Sequence, residues 1–531
     1  MPNATQHPWE LTSVLSKSHP APRRHSPERG ASPWLLLVLS LPVPLVAAGW
    51  LGISGFDGLY GQDSYGYFNY ATGPLLDNLL ALRSPPPFHW PPGYPLLVAW
   101  VALVIGRIPL AGQLVSILAG TLVPVFTGLL AQELWSDPRT RRVVPLLAAT
   151  LTAFVGQLWQ SSVVVMADTT ALAAVTLGMW SLARYGRVVR GHSARSVGWI
   201  LLAAASVSYA VLARWAYTLV ALPAFVYALM VLAQQPRRVA IIHGIAAGTV
   251  AGLVFLPVIL AAWGPETGEA AFLGNFEVAS WNPANAAQHQ FANSDGILEY
   301  RLANGLYYLL APAHRYFFTP LLALLLPAGA WIVLRGRNPA CMIFLLGWPA
   351  SVYVFLAGFP WQNFRWTLTY LPPLAILTGI GAASGLHAVS GARRTALTAA
   401  VAVGLLAMAW GGWRLVASFV ERKNADLATA YWVQDRLPAH AALFAFSLTP
   451  TIDYYTRLRP LDLYLLDPQT MASILEQKSP VYVILDVDSV EEQWRGRSPS
   501  LNYHWLLQGP GLVPLGQDRS YSLFLALPGD R

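Results

Sequence analysis

Long runs of apolar residues, separated by short polar segments, dominate the chain between residues 34 and 415. A run of about 20 apolar residues is long enough to cross the hydrocarbon core of a bilayer as an α-helix. The pattern predicts eleven such helices, at residues 34–52, 111–132, 143–160, 169–185, 197–213, 216–233, 239–261, 316–334, 339–357, 367–386 and 395–415. The apolar stretch 93–106 is shorter and lies between prolines, which favours a re-entrant or interfacial helix.

The pattern changes after about residue 420, where the chain becomes less apolar. Short β-branched and aromatic runs predict strands at 441–447, 461–466 and 480–487, and Asp467-Pro468 opens a helix between them. We therefore predict a mainly α fold. It consists of a polytopic transmembrane domain over residues 34–415, followed by a small C-terminal α/β domain over residues 420–531. The polar residues 1–33 predict a disordered cytoplasmic tail ahead of an uncleaved anchor helix.

Composition excludes a soluble multidomain protein. Only 11% of the residues are charged and 55% are hydrophobic, whereas soluble domains have about 25% charged residues. The single cysteine, Cys341, excludes an intrachain disulfide and any cysteine-based zinc or haem motif.

The net charge of +8 reflects the arrangement of arginines around the predicted helices and indicates topology rather than a nucleic-acid partner. With the N-terminus in the cytoplasm, the inside loops hold arginine clusters at 139–142, 184–195, 237–238, 335–337 and 393–394. The short outside loops hold single arginines at Arg83, Arg107, Arg214, Arg301, Arg315 and Arg365. This asymmetry predicts a multi-pass protein of the plasma (inner) membrane, and the odd number of helices places the C-terminal domain outside.

Two outside loops, 53–110 and 262–315, are long, which indicates that the protein works on that face. Asp63 precedes a predicted helix in the first loop and is followed by Tyr65 and Tyr67. Asp168 directly precedes the fourth predicted span, on the same face and at the same depth as Asp63. Each aspartate could be a helix N-cap, or the two could be a pair of functional carboxylates at the outer rim.

The order of these motifs resembles the GT-C superfamily of membrane glycosyltransferases, and most closely its family of protein O-mannosyltransferases and lipid A aminoarabinose transferases. The resemblance rests on Asp63 followed by tyrosines, the segment Pro91-Pro-Gly-Tyr-Pro95, Asp168 at an outer helix start, and Arg365-Trp366 ahead of Leu371-Pro-Pro373. It covers residues 34 to 415. Trp90 stands where the aminoarabinose transferases have a basic residue, which puts that particular substrate in doubt.

The resemblance implies an inverting glycosyltransferase that moves a sugar from a polyprenyl-phosphate donor to an extracytoplasmic glycolipid, polysaccharide or protein. We expect Asp63 and Asp168 to be catalytic and Tyr65, Tyr67 and Tyr94 to bind substrate. Because the outer loops of the bundle have no lysine, arginine is expected to hold the donor phosphate, with Arg365 first and Arg214 and Arg301 after it. A divalent cation is the alternative for that role, and no cofactor is otherwise predicted.

Other functions fit the sequence less well. A transporter or flippase usually has repeated halves and charged groups near the bilayer midplane, and the sequence shows neither. A sugar polymerase or ligase would differ in having a lipid-linked acceptor. Asp486-Val-Asp488 resembles the metal-binding motif of nucleotide-sugar transferases, but it ends a strand ahead of a helix cap and lies on a face without nucleotide sugars.

Overall fold

A computed structural model describes residues 31–86, 88–189, 194–262, 280–477 and 480–527. The predicted cytoplasmic tail lies outside these ranges except for residues 31–33. Residues 263–279 of the second predicted outer loop are also outside them.

The described part of the chain contains nine helices that are long and apolar enough to cross a membrane, and the bent pair Val143–Ala153 and Gly156–Val163 makes a tenth. The nine are Pro33–Ser54, Pro109–Leu134, Arg195–Ala213, Trp215–Ala233, Arg237–Leu256, Thr319–Gly336, Pro339–Gly358, Phe364–Ala388 and Gly391–Gln434. The remaining predicted span, 169–185, forms the 21-residue helix Asp168–Val188, most of whose side chains are buried between its neighbours. All eleven predicted segments therefore fall on helices.

Shorter helices connect these spans and build the C-terminal domain. Gly93–Ile105 has 13 residues, too few to cross a bilayer. The other described α-helices outside the spans are Gln62–Tyr70, Leu76–Leu80, Asn304–Leu310, Thr449–Tyr455, Pro468–Gln477, Val487–Glu492 and Ser498–Gln508.

The predicted helix 143–160 is bent by 55° at residues 154 and 155. A Cβ at Gly156 would lie 2.5 Å from the Cα of Gly412 in the long helix Gly391–Gln434. These two helices therefore cross backbone against backbone, in a contact that only glycine permits.

The last membrane helix is longer than predicted. It was expected to end at residue 415, but it continues without a break to Gln434 and carries the chain into the C-terminal domain. No glycine or proline occurs between Gly412 and Pro438, so nothing in the local sequence stops the helix where its hydrophobicity ends.

The C-terminal domain is built on a mixed five-stranded sheet. In chain order its strands are β3 (Ala442–Ala445), β4 (Arg459–Asp462), β5 (Val481–Asp486), β6 (Leu512–Asp518) and β7 (Tyr521–Ala526), and their spatial order is β4-β3-β5-β7-β6. β3 runs parallel to β4 and β5, and β7 runs antiparallel to β5 and β6. Three of these strands overlap the predicted ones, with β4 beginning two residues early, while β6 and β7 were not predicted.

The first outer loop, a hairpin from the second outer loop and the C-terminal domain meet at one end of the bundle. The hairpin strands are β1 (Gln290–Asn293) and β2 (Gly296–Glu299). The amide of Ile297 donates to the carbonyl of Gln493 at 2.6 Å, and the side chain of Gln493 donates to the carbonyl of Asp295 at 2.7 Å. The two long predicted loops therefore face the same side as the C-terminal domain.

Candidate active site

Asp63 is placed by a tight turn at the end of the first membrane helix. Gly58 and Gly61 have φ angles of +84° and +75°, which glycine adopts readily. Ser64, rather than Asp63, secures this turn, because its hydroxyl accepts a hydrogen bond from the amide of Tyr60 at 2.7 Å. The N-cap is Gly61, and Asp63 is the second residue of helix Gln62–Tyr70. The Asp63 carboxylate is therefore available for contacts away from its own helix.

Asp168 is the first residue of helix Asp168–Val188, and its side chain is only 4% exposed. It does not cap the helix; the N-cap is Ala167, which makes no side-chain cap bond. Its Oδ1 lies 2.5 Å from Nη1 of Arg214, and its Oδ2 lies 3.5 Å from Nε of Arg365. Oδ2 has no hydrogen-bond partner of good geometry within the described residues. The capping alternative fails for both aspartates.

Arg365 joins the two carboxylates. It lies at the start of the 3-10 segment Phe364–Tyr370, where the side chain of Asn363 accepts a hydrogen bond from its amide at 3.0 Å. Its Nη2 donates to Oδ2 of Asp63 at 2.8 Å, while Nη1 donates to the sulfur of Met166 at 2.7 Å. Asp63, Arg365, Asp168 and Arg214 thus form a continuous chain of alternating charge, which we call the charge cluster.

The charge cluster is balanced overall, but its members differ in their access to solvent. The side chains of Arg214 and Arg365 are 15% and 19% exposed. The side chain of Asp63 is 35% exposed, in contrast to the buried Asp168. Asp63 is therefore the most accessible member of the charge cluster.

Aromatic side chains pack around the charge cluster. The Tyr67 ring is 4.7 Å from the ring of Trp90, and burial raises the pKa of the Tyr67 hydroxyl above its ordinary value. The His89 ring also packs against Trp90, tilted by 53°, with the ring centres 3.9 Å apart. Burial lowers the pKa of His89, although the negative charge of Asp63 raises it in part, so His89 is mainly uncharged at neutral pH.

The other predicted site residues lie apart from the charge cluster. Tyr94 is fully buried and donates its hydroxyl to the carbonyl of Gly112 at 3.0 Å. Tyr65 is 3% exposed and faces the C-terminal domain, where its hydroxyl is 3.3 Å from that of Thr451. Arg301 is exposed and has no hydrogen bond or ion pair to the cluster among the described residues. The substrate-binding role of the two tyrosines stays a prediction.

Neither Met166 nor His89 was predicted to belong to the site. Met166 lies two residues before Asp168, so its proximity to that aspartate could have been anticipated, but its contact with Arg365 spans 199 positions. Within the described ranges, no three His, Cys, Asp or Glu side chains come close enough to hold a metal ion. Asp486 accepts a hydrogen bond from the amide of Ser489 at 3.1 Å and so caps a helix, as the sequence indicated.

Comparison with known proteins supports the resemblance noted in the sequence. The family model described as dolichyl-phosphate-mannose-protein mannosyltransferase matches residues 104–264, a range that includes Asp168 and Arg214. No curated protein sequence matches the chain.

Solved structures match nearly the whole chain. ArnT from Cupriavidus metallidurans bound to undecaprenyl phosphate is 15% identical with a TM-score of 0.60, and the match covers 92% of this chain and 98% of that one. The apo form of the same protein gives 14% identity and a TM-score of 0.61, with 93% and 98% covered. The archaeal oligosaccharyltransferase AglB from Archaeoglobus fulgidus, in complex with an inhibitory peptide and a dolichol-phosphate, gives 12% identity and a TM-score of 0.57, with 92% and 73% covered.

These matches confirm the predicted fold class. The chain is a multi-pass membrane protein with the fold of the GT-C glycosyltransferases, and a small sheet-containing region follows the helical bundle.

Proposed function

We propose that the chain is an inverting glycosyltransferase that transfers a sugar from a polyprenyl-phosphate donor to an acceptor hydroxyl or amine outside the cytoplasm. The observation that carries this proposal is the charge cluster at one end of the bundle. It combines an accessible carboxylate with an arginine fork, which are the groups needed to accept a proton and to hold a departing phosphate. The undecaprenyl phosphate bound to ArnT and the dolichol-phosphate bound to AglB support a donor of this class.

The difference in exposure supports different roles for the two aspartates. Asp63 can reach an acceptor, so it takes the acceptor proton while the acceptor oxygen or nitrogen attacks the anomeric carbon. Asp168 is buried against Arg214 and holds that arginine and Arg365 in place. General-base catalysis of this kind contributes roughly 10²–10⁴-fold to the rate.

The leaving group is a polyprenyl phosphate. When the bond between the anomeric carbon and the phosphate oxygen breaks, negative charge develops on that oxygen, and Arg365 is the nearest partly exposed cation to Asp63. Planar guanidinium groups bind phosphate oxygens in pairs, and they keep their charge at any working pH. Attack from the face opposite the phosphate inverts the anomeric configuration.

The orientation in the membrane is part of the same proposal. Sugar nucleotides are made in the cytoplasm, so a site on the outer face needs a donor that crosses the membrane on a lipid. The arginine distribution of the short loops supports an inside N-terminus and an outside C-terminal domain.

The decisive experiment incubates the purified protein with a panel of radiolabelled polyprenyl-phosphate sugars and measures release of polyprenyl phosphate together with labelled product. We expect release with one donor class and loss of release in Asp63→Asn. Asp77→Asn is the matched control, because Asp77 lies in the same outer loop but pairs with Arg107. Movement of the lipid-linked sugar across a vesicle membrane without release of polyprenyl phosphate would support a flippase instead.

A further inference from the structure

A second set of polar side chains joins the C-terminal domain to the first outer loop. Lys423 in the long helix Gly391–Gln434 forms an ion pair with Oδ1 of Asp57, and the hydroxyl of Tyr455 donates to Oδ2 of the same carboxylate. The ammonium group of Lys423 also donates to the Tyr455 hydroxyl at 2.7 Å. We call Asp57, Lys423 and Tyr455 the domain latch.

Lys423 is buried to an extent that is unusual for a lysine. The Lys423 side chain is 5% exposed, and its ammonium group lies 5.3 Å from the ring centre of Phe56 and 4.8 Å from that of Tyr455. A buried ion pair is often no more stabilising than an apolar pair of the same size. The ion pair does fix the relative position of the two residues, because a lysine buried away from water needs its carboxylate partner.

The domain latch acts on the same turn that places Asp63. Oδ1 of Asp57 also accepts a hydrogen bond from the amide of Leu59 at 3.1 Å, and this fixes the start of the turn. The following residues lead through Gly61 directly into helix Gln62–Tyr70, in which Asp63 is the second residue.

The turn is also bonded to the segment that carries Asp168. The amide of Val165 donates to the carbonyl of Gly58 at 3.0 Å. The side-chain amide of Gln113 donates to the carbonyls of Phe56 at 3.1 Å and Val163 at 2.9 Å. If Asp57 moved, Asp63 would be displaced through the few intervening residues of the chain. Asp168 would be displaced through the hydrogen bonds to the segment that precedes it.

We propose that Lys423 and Tyr455 are positioning residues for sugar transfer, and that the C-terminal domain acts through Asp57 to hold Asp63 and Asp168 in their reactive arrangement. This inference rests on the proposed function. Arg214 and Arg365 are carried by other segments of the bundle, so the latch governs the geometry of proton removal more than the affinity for the donor phosphate.

The test uses Tyr455→Phe, which removes one hydroxyl and keeps the ring. The matched control is Tyr454→Phe, because Tyr454 is the adjacent tyrosine of the same helix and its hydroxyl makes no hydrogen bond among the described residues. Small misplacements of reacting groups cost up to about a hundredfold in rate. We expect Tyr455→Phe to lower kcat at least tenfold, while the Kd for polyprenyl phosphate becomes no weaker than in wild type, because a displaced Asp63 competes less for Arg365. Tyr454→Phe should leave both quantities unchanged.

Asp57→Asn provides a second variant of similar shape. If the latch acts as one unit, Asp57→Asn combined with Tyr455→Phe should lower kcat no further than the more damaging single change. Full kcat in both single variants would overturn the inference. Losses of apparent kcat and of donor-binding sites that are both in proportion to the loss of folded protein would also overturn it by showing a purely structural role.

Hydrogen exchange of the purified full chain separates failure of this inference from failure of the proposed function. Tyr455→Phe should speed exchange of the Leu59 and Val165 amides at least tenfold relative to Tyr454→Phe, whether or not any sugar is transferred. If wild type releases no polyprenyl phosphate but these amides respond, the proposed function fails and the mechanical coupling stands. If the amides do not respond, the domain latch has no positioning role.

Discussion

In the proposed site, Asp63 and the donor phosphate compete for Arg365, so removing the Asp63 charge should tighten donor binding while it stops transfer. All three nitrogens of the Arg365 guanidinium face protein groups, namely Asp63, Met166 and Asp168. A phosphate that binds this fork shares the guanidinium with these groups and is repelled by the charge of the two carboxylates. Asp63 is the more exposed of the two carboxylates, so it is the one that moves away from Arg365 when the phosphate binds.

The size of the effect follows from the ion pair. Two unit charges about 4 Å apart attract by about 4 kcal/mol at an effective dielectric constant near 20, and by about 1 kcal/mol in water. The Asp63 side chain is 35% exposed, so solvent screening places this pair in the lower half of that range, at about 1–2 kcal/mol. Since each 1.4 kcal/mol is tenfold in Kd, Asp63→Asn should bind polyprenyl phosphate roughly 5- to 30-fold more tightly.

The assay is calorimetric titration of a short-chain polyprenyl phosphate into detergent-solubilised protein at low ionic strength. Asp77→Asn removes the same charge from the same outer loop without touching Arg365, and it should leave the Kd unchanged. The gain in affinity of Asp63→Asn over wild type should shrink as salt is added, because salt screens the competing Asp63 charge in the wild-type protein.

The sign of the change distinguishes competition from other roles. If Asp63 only shaped the site, Asn would leave the Kd unchanged, since Asn has nearly the same size and shape as Asp. Weaker binding in Asp63→Asn would mean that the carboxylate assists phosphate binding, for example through a cation, and would refute competition between Asp63 and the phosphate for Arg365.

Four further changes test the site and its topology. Asp168→Asn should unfold more easily by about 3–5 kcal/mol, measured by denaturant or thermal unfolding, because it leaves the largely buried Arg214 without its carboxylate. Arg365→Lys should lose most of the activity and weaken polyprenyl phosphate binding, since a point charge cannot replace a fork; turnover and Kd within about twofold of wild type would exclude it as the phosphate site. The lowered pKa of His89 favours its neutral form in the folded state, so its contribution to stability is present above pH 6.5 and is lost as the pH falls through its folded-state pKa. His89→Gln should therefore lose less melting temperature between pH 7.5 and 5 than wild type does. An impermeant maleimide applied to intact cells should label a cysteine at position 495 and not one at position 139, both of which replace exposed arginines; the reverse pattern would invert the proposed orientation.

The helical part of the fold could be predicted because its signal is local. A run of apolar residues long enough to span a bilayer is visible in the sequence itself, and each predicted run falls on a helix. The bend near Phe154 could not be predicted, because it accompanies a crossing of Gly156 against Gly412, which lies far away in the sequence. Strand β6 was missed because it contains Pro514 and Gly516, which argue against a strand when only neighbouring residues are considered.

The candidate site depends even more on contacts between residues that are far apart in the sequence. Asp63 and Asp168 look alike in the sequence, since each stands at the start of a helix near the outer surface. Their difference comes from exposure and from arginines contributed by other segments, with Arg365 lying 302 positions from Asp63. Arg301, which has the same residue type and the same predicted side of the membrane as Arg365, is exposed and apart from the cluster.

The domain latch explains why the C-terminal domain gave no functional signal in the sequence. In the sequence, Lys423 is a single charge in a helix that leaves the membrane, and Asp57 is an ordinary loop aspartate. The two residues pair although they are 366 positions apart. Neither residue touches the charge cluster, so a search for reacting groups passes over both. Yet a carboxylate on a glycine-containing turn holds its position only if something outside the turn fixes it. That requirement connects the C-terminal domain to the reaction proposed for the membrane bundle.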